Sequence, residues 1–400
     1  MTDSPRDPAN NEDGPAATVA DCVSLLRGMI RFDTVTHHVS GRCDAERVLG
    51  EWLAELACGW GLQAAWLPVE GFGANLLVTH SLGAELPWRL FDSHLDTVGV
   101  DGMTIDPFGG GVRDGRVWGR GACDTKGTGA AMLWAAKEAI AAGTLGANVA
   151  ILFSVGEEHD QVGAQAFVNG ADALGWRPSE VVVGEPTGMR VVAASNGFLR
   201  WRVVTHGHAA HSSTPDRGHN AVSDMARAVV AIEQEHIARI DASHPLTGRM
   251  TCSVNGIRGG VQHNIVPDRC EVQLDQRLTP GQVASDALAS VRGVLDRLAM
   301  QRKGFAYAFE AIESAPPFAS EASLELGERL ASRLAAAGIE STVAGAPYTT
   351  NANHFAPAGL PTVVIGPGDI AQAHTHDEWI AIDELHRGVR GYRTLMEAAP

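Results

Sequence analysis

Cysteine is scarce and scattered in this sequence. Only six cysteines occur among 400 residues, and no two of them form a Cys-x-x-Cys pair. In a long chain that lacks a secretory signal, such cysteines are expected to stay reduced. A disulfide framework is therefore excluded, and a cytoplasmic location is expected.

Long apolar runs and an excess of positive charge are missing as well. No apolar stretch approaches the roughly 20 residues of a membrane-spanning helix. Residues 1–17 lack the apolar core of a secretory signal and are expected to form a disordered N-terminus. The net charge of −16 argues against nucleic acid or an anionic membrane as a partner. Neither internal repeats nor heptads are found.

The most informative stretch that is present runs from Phe91 to Lys126. A short apolar segment, Trp88 to Phe91, predicts a buried strand that leads into His94 and Asp96. Residues two apart on a strand point the same way, so Asp96 can hold one ring nitrogen of His94 while the other binds a metal. Thirty residues after His94, Asp124 lies on a glycine-rich turn before a predicted helix.

Further candidate ligands follow other predicted strands. Glu157 and Glu158 come after Val149 to Val155, and Glu185 comes after Val181 to Val183. The carboxyl ends of such strands are where open α/β sheets bind ligands. The candidate metal ligands are therefore His94, Asp124, Glu158, Glu185 and His374. This donor set suits two zinc-like ions with one bridging carboxylate.

Each of these residues has a second interpretation. The two glutamates could form a solvated loop, and Glu185 could be a turn residue before Pro186. Either His374 or His376 could be the ligand. One of the two glutamates could bind metal while the other accepts a proton from metal-bound water.

Alternating helices and apolar strands predict an α/β fold with a mostly parallel central sheet. The pattern changes near Ser195, where strand, helix, two strands, helix and strand follow one another up to Ile312. That order is typical of a ferredoxin-like α+β domain. We therefore predict a discontinuous catalytic domain, residues 18–195 and 314–400, that carries an inserted domain, residues 196–313.

Taken together, the motifs resemble the M20 family of co-catalytic metallohydrolases. They are Ser93-His94-Leu95-Asp96-Thr97, Asp124-Thr125-Lys126-Gly127, Glu157-Glu158, Gly184-Glu185-Pro186-Thr187 and Ala373-His374-Thr375-His376-Asp377-Glu378. Within the family, the chain looks most like the acetylornithine deacetylase and succinyl-diaminopimelate desuccinylase group. The resemblance covers nearly everything from Cys22 to Tyr392.

The resemblance implies a role for each candidate residue. Asp124 would bridge two zinc ions per chain, for which cobalt could substitute, and a cis peptide would follow it. His94 and Glu185 would complete one metal site, and Glu158 and His374 the other. Glu157 would be the general base, and Asp96 the partner of His94.

The inserted domain resembles the dimerisation, or lid, domain of the family. His211 matches the histidine that reaches the active site of the partner subunit, where it would donate to an oxyanion. Asn264 and Arg277 match segments that hold the substrate's carboxylate, although Arg277 could simply pair with Asp275. Thr350 and Asn351 match the substrate loop, but Asn351 replaces the family's acidic residue.

The resemblance implies a homodimeric, dinuclear amidohydrolase that removes the acyl group from a small N-acyl amino acid. A metallo-carboxypeptidase or dipeptidase is the alternative, because the same water attack cleaves peptide amides. A non-catalytic binding protein on the same fold is less consistent with the sequence, since every ligand and Glu157 are present. Acetylornithine itself does not carry over as the substrate.

Overall fold

The computed structural model describes residues 19–399, so the disorder predicted for residues 1–17 lies outside the described part. Two compact units are formed. The first contains the described residues up to Val191, Glu325–Val343 and the residues from Ala358 onward. The second contains Val192–Leu324 and Ala344–Pro357. The catalytic and dimerising roles predicted for two such domains, divided at 195/196 and 313/314, stay predictions.

The strands are β1 (Gln63–Val69), β2 (Gly73–His80), β3 (Trp88–His94), β4 (Gly111–Arg113), β5 (Arg116–Trp118), β6 (Asn148–Ser154), β7 (Pro178–Val183), β8 (Val191–Ser195), β9 (Gly197–His206), β10 (Ala210–His211), β11 (Ser243–His244), β12 (Gly248–Arg249), β13 (Thr251–Gly259), β14 (Ile265–Val266), β15 (Arg269–Leu278), β16 (Ala306–Ala315), β17 (Val343–Ala346), β18 (Thr362–Val364) and β19 (Trp379–Ala381). The helices are α1 (Cys22–Ile30), α2 (His37–Ser40), α3 (Arg47–Gly59), α4 (Lys126–Ala142), α5 (Val162–Gly170), α6 (Ala221–Glu235), α7 (Ala284–Gln301), α8 (Glu321–Ala336), α9 (Ala352–Phe355) and α10 (Ile382–Glu397).

A central sheet in the order β1-β2-β6-β3-β7-β18-β8-β17 organises the first unit, and the division between the units passes through β8 and β17. β6, β3, β7 and β18 pair in parallel, with Phe91 opposite Ile151 and Val182 opposite Val363. β1 and β2 add an antiparallel edge. Every residue of β6 is buried, because helices cover both faces of such a sheet. The predicted α/β fold with a mostly parallel sheet is confirmed.

β1 and α10 are among the elements that the sequence analysis did not predict. β1 is an edge strand that contains Pro68 and is mostly exposed, so it lacks the apolar run that marks a buried strand. α10 was missed although Leu385, Val389, Tyr392 and Met396 are buried at helical spacing. α10 packs on α4, which in turn packs on β3. The two helices therefore support the strand that ends at His94.

Arg89 ties the start of β3 to the end of the chain. Its side chain is buried and donates to the carbonyl oxygens of Leu395 at 2.9 Å and Ala398 at 2.8 Å. The guanidinium also pairs with Glu180 on β7 at 2.9 Å. A buried charge needs such partners, so Arg89 fastens the last residues of the first unit to β3 and β7.

The second unit contains an antiparallel sheet in the order β13-β15-β9-β16. Side chains of β15 alternate between buried and more exposed positions, as expected when one face is covered. Helices α6 and α7 supply Met225, Ile232 and Val291 to the core on that face. The chain order of strands and helices and the sheet order are those of a ferredoxin-like fold, and this part of the prediction is confirmed.

Within the described residues, we find no helix that combines the length and the apolar character needed to cross a bilayer.

Candidate metal centre

Asp124 lies at the middle of the candidate site in the first unit. Its Oδ1 lies 3.0 Å from Nε2 of His94, and its Oδ2 lies 3.4 Å from Nε2 of His374. The two oxygens of one carboxylate thus face two different imidazoles. This is the geometry that a bridging carboxylate requires.

Two groups of potential ligands share Asp124. One contains His94 and Glu185, and the other contains Glu158 and His374; within each group the ligand atoms lie within 4.8 Å of one another. Nε2 of His374 lies 3.0 Å from Oε2 of Glu158, and Nε2 of His94 lies 3.9 Å from Oε1 of Glu185. The structure therefore brings all five predicted metal ligands together in two adjoining groups.

The strands explain why these side chains converge. His94 ends β3, Glu185 lies two residues beyond β7, and Glu158 lies four residues beyond β6. These neighbouring parallel strands direct their carboxyl ends to one edge. Asp124 lies two residues before α4, and its peptide bond to Thr125 is cis, as the family resemblance implied. His374 enters the site, whereas His376 lies beside Gly102.

Burial and mutual repulsion dominate the electrostatics of the site. Burial, assisted by the charge of Asp124, raises the pKa of Glu158 to about 7 and raises that of Glu185 well above its usual range. Hydrogen bonds to Asp124 and Glu158 raise the pKa of His374 to about 10. Burial opposes ionisation of Asp124, but hydrogen bonds with His374 and His94 keep its pKa below the usual range.

These residues fit a pair of divalent cations. Three carboxylates and two imidazoles crowd a space where buried negative charges repel one another, and they are the donors that zinc prefers. Oε1 of Glu158 is buried without a hydrogen-bond partner. A buried oxygen of this kind is costly unless it meets a donor or an ion.

Asp96 has a more detailed role than the sequence indicated. Its backbone carbonyl is the nearest acceptor for Nδ1 of His94, at 2.9 Å, whereas its carboxylate Oδ1 lies 3.5 Å away. The carboxylate oxygens accept the backbone N–H groups of Glu157 and Glu158, each at 3.0 Å. Asp96 therefore orients His94 and also holds the turn that carries both glutamates.

Glu157, the predicted general base, faces the same region. Burial, reinforced by the charge of Glu158, raises its pKa to about 8, against the opposing charge of His94. Its Oε1 accepts a hydrogen bond from Nε2 of Gln161 at 3.1 Å.

Glu378 is a residue beside the site to which the sequence analysis gave no role. Its carboxylate is buried and accepts Nη1 of Arg120 at 2.8 Å. It also accepts the backbone N–H groups of Gly121, Cys123 and Asp124 at 3.0, 2.7 and 2.9 Å. Glu378 thereby shapes the turn that presents Asp124. The sequence signal for Glu378 was its place at the end of the motif that begins at Ala373.

The remaining predicted site residues lie in the second unit. His211 is exposed on β10, where Nδ1 lies 2.8 Å from Oγ of Ser213. The Asn264 carbonyl accepts the N–H of Ser212 at 3.0 Å, so Asn264 lies beside His211. Their roles at a substrate stay predictions.

Arg277 pairs with Asp275, as the alternative interpretation of the sequence expected. Its Nε donates to Oδ1 of Asp275 at 2.8 Å. Thr350 and Asn351 are both buried. Thr350 Oγ1 accepts the N–H of Ala352 at 3.2 Å. The substrate-binding roles of these residues also stay predictions.

Comparison with known proteins places this geometry in a family. The sequence pattern of peptidase family M20/M25/M40 matches residues 90–398. The chain belongs to this family. It is 28% identical over 402 residues to the "Probable carboxypeptidase" of Aspergillus terreus, an alignment that covers 94% of this chain and 86% of that protein.

Solved structures share the fold. Aminopeptidase PepT of Bacillus cereus matches with a TM-score of 0.75 at 21% identity, covering 94% of this chain and 97% of that one. The YXEP protein of Bacillus subtilis, described as a dinuclear metal binding peptidase from the M20 family, matches with a TM-score of 0.71 at 13% identity and 94% and 96% coverage.

As a member of this family, the chain is a metal-dependent hydrolase that acts on amide bonds. The narrower assignment to the acetylornithine deacetylase and desuccinylase group is not confirmed, since the similar proteins are named carboxypeptidases or peptidases.

Proposed function

We propose that this M20 protein is a dinuclear metallo-carboxypeptidase that cleaves the amide bond next to a terminal residue with a free carboxylate. The observation that carries the proposal is Asp124, whose two oxygens each face a separate ligand group. The named relative from Aspergillus terreus supports the peptidase interpretation. Zinc is the metal that the donor set favours.

The deacylase predicted from the motifs is the second candidate, and the two activities share one chemical core. A carboxypeptidase and an N-acyl amino acid deacylase both hydrolyse the amide bond between an acyl group and the nitrogen of an amino acid whose carboxylate is free. They differ in the size of the acyl group. The motifs from Ser93 to Glu378 favour the deacylase as much as the named relatives favour the peptidase.

When bound, the two ions would polarise the scissile carbonyl and increase the acidity of a water molecule. His94 and Glu185 would hold one ion, Glu158 and His374 the other, with Asp124 shared. Glu157 would accept the proton of the attacking water on its carboxylate and pass it to the leaving nitrogen. Asp96 would keep Glu157 in place through the backbone bond described above.

The second unit would supply the rest of the reaction's contacts. We propose that the chain works as a homodimer in which His211 donates to the oxyanion at the partner's site, as the family resemblance implies. Asn264, Arg277, Thr350 and Asn351 would contact the substrate. Arg277 would have to exchange its contact with Asp275 for the substrate's carboxylate.

A substrate panel tests the proposal. Zinc-loaded protein is assayed with N-blocked dipeptides, N-acetyl amino acids, free dipeptides and the C-terminal amides of the blocked dipeptides. We expect the blocked dipeptides to be cleaved and their amides to resist, because the amides lack the carboxylate. Faster cleavage of the N-acetyl amino acids would favour the deacylase. Cleavage that requires a free amino terminus would contradict both candidates.

A further inference from the structure

A second cluster of metal-binding side chains lies in the first unit, apart from the five candidate ligands. His38 on the short helix α2 meets His159 and Asp160, which follow Glu158 in the turn after β6. Nε2 of His38 lies 2.7 Å from Oδ2 of Asp160, and Nε2 of His159 lies 3.5 Å from Oδ1. The potential ligand atoms of the three residues lie within 4.8 Å of one another. We call these three residues the rim cluster.

The spacing in the rim cluster suits a transition metal. A tetrahedral zinc ion with bonds of about 2.0–2.2 Å separates its ligand atoms by roughly 3.4 Å. The 3.5 Å separation between His159 and Oδ1 of Asp160 is close to that value, whereas the 2.7 Å separation between His38 and Oδ2 is a hydrogen bond that an ion would replace. Two imidazoles and one carboxylate are also the three-ligand set of an open zinc site that keeps a position for water.

The rings of His38 and His159 lie in direct contact with each other. Their ring centroids lie only 3.5 Å apart with the planes tilted by 48°. One carboxylate, that of Asp160, faces both rings. Imidazoles that share a tetrahedral ion have ring centroids about 5 Å apart, so the two rings would move slightly apart when an ion binds. The side chains are 33–38% exposed, so an ion can reach them from solvent.

We infer that His38, His159 and Asp160 form an additional binding site for a divalent transition-metal ion. It is distinct from the dinuclear centre, since it uses none of those ligands. Because the side chains are partly exposed, it binds its ion more weakly than the buried centre. The inference does not depend on which amide the enzyme cleaves.

An ion in this site would connect two segments that border the dinuclear centre. The residue before α2 is bonded to the segment that follows β3. The N–H of Thr36 donates to the carbonyl of Thr97, the neighbour of Asp96, at 2.8 Å. His159 and Asp160 belong to the turn that carries Glu157. The rim ion would therefore link α2 to this turn and restrain it.

Metal counting on the full-length protein tests the inference. Zinc-loaded protein is dialysed against graded concentrations of free Zn²⁺, and the zinc per chain is measured by elemental analysis. We expect the wild type to take up one equivalent more than His38→Gln at high free Zn²⁺. Both should keep the same tightly held zinc after gel filtration. His37→Gln, on the same short helix but outside the rim cluster, is the matched control and should behave as the wild type does.

Copper supplies an independent readout. Cu²⁺ added to zinc-loaded wild type should give an electron paramagnetic resonance spectrum with coupling from two nitrogen ligands, and His38→Gln should lose one of them. Asp160→Asn, which keeps the shape of the side chain, should weaken uptake without removing the nitrogens. Equal zinc uptake by wild type and His38→Gln would overturn the inference. So would an equal loss in His37→Gln, because it would place the ion elsewhere.

Discussion

The backbone N–H of Asp124 donates a hydrogen bond of 2.9 Å to Oε1 of Glu378. Glu378 is buried and reaches Asp124 from more than 250 residues further along the chain. One carboxylate thus fixes the backbone of the residue that both candidate metal sites share. The position of the bridging carboxylate depends on a contact that no local sequence pattern contains.

This contact predicts the effect of Glu378→Gln. An amide has one acceptor oxygen in place of two, so the donors from Arg120, Gly121, Cys123 and Asp124 cannot all be satisfied. Residues that orient metal ligands typically change metal affinity by about 10–100-fold when mutated. We expect a loss of that size in zinc affinity, measured by competition with a chelator. Glu384→Gln is the control, since Glu384 pairs with Arg387 within α10. Unchanged zinc affinity in Glu378→Gln would contradict the role given to this residue.

The neighbouring glutamates should separate in their effects. Glu157→Gln keeps the shape but cannot accept a proton, so turnover should fall by at least roughly 10²-fold with zinc content unchanged. Glu158→Gln should instead reduce the zinc content. Turnover and zinc per chain are measured on the same preparations. If the two variants showed the opposite phenotypes, the roles of Glu157 and Glu158 would have to be exchanged.

Metal removal should affect both activity and stability. Without cations, the carboxylates of Asp124, Glu158 and Glu185 share a buried space and repel one another. Two tightly held ions per chain are expected, and a chelator should abolish activity and lower the Tm. An ion present at about 100 times its Kd contributes about 2.7 kcal/mol to the free energy of unfolding. Calorimetry before and after zinc is restored measures the change. Full activity after complete metal removal would exclude the proposed mechanism.

Complementation tests whether His211 acts in the neighbouring subunit. His211→Ala should lower turnover by about 10²–10³-fold, the usual cost of losing an oxyanion donor, with zinc content unchanged. A mixture of His211→Ala and Glu157→Gln chains should regain activity, because one site of each heterodimer has its own Glu157 and the partner's His211. His208→Ala, a nearby histidine, is the control. An inactive mixture in which heterodimers are shown to form would place the donor within its own chain or remove it from the mechanism.

Much of the candidate metal centre could be predicted because its residues follow short apolar strands. β3, β6 and β7 are almost wholly buried, so their apolar runs mark both the strands and the sites at their ends. Parallel pairing then brings those ends together. The convergence of Glu158 and Glu185 on Asp124 follows from the fold class.

Other features depend on contacts that periodicity does not encode. The carboxylate of Asp96 can accept the N–H groups of Glu157 and Glu158 only if the turn after β6 adopts a particular backbone conformation. In that turn Gln161 is left-handed, with φ at 55°. The rim cluster needs His38 and the turn after β6 to meet across more than 100 residues. The pairing of Arg277 with Asp275 was open in the sequence, because residues two apart on a strand share a face whether or not a substrate competes.

The position of β18 affects how the protein is made. β18 pairs with β7, yet roughly 180 residues separate them, so at about 5–20 residues per second the ribosome needs roughly 10–35 s to supply the missing strand. During that interval most of the second unit is synthesised, and the side of β7 that will pair with β18 stays exposed to other nascent chains. Such edges promote aggregation. Chains that end before Thr362 should therefore be insoluble, even though every candidate metal ligand except His374 has already been translated.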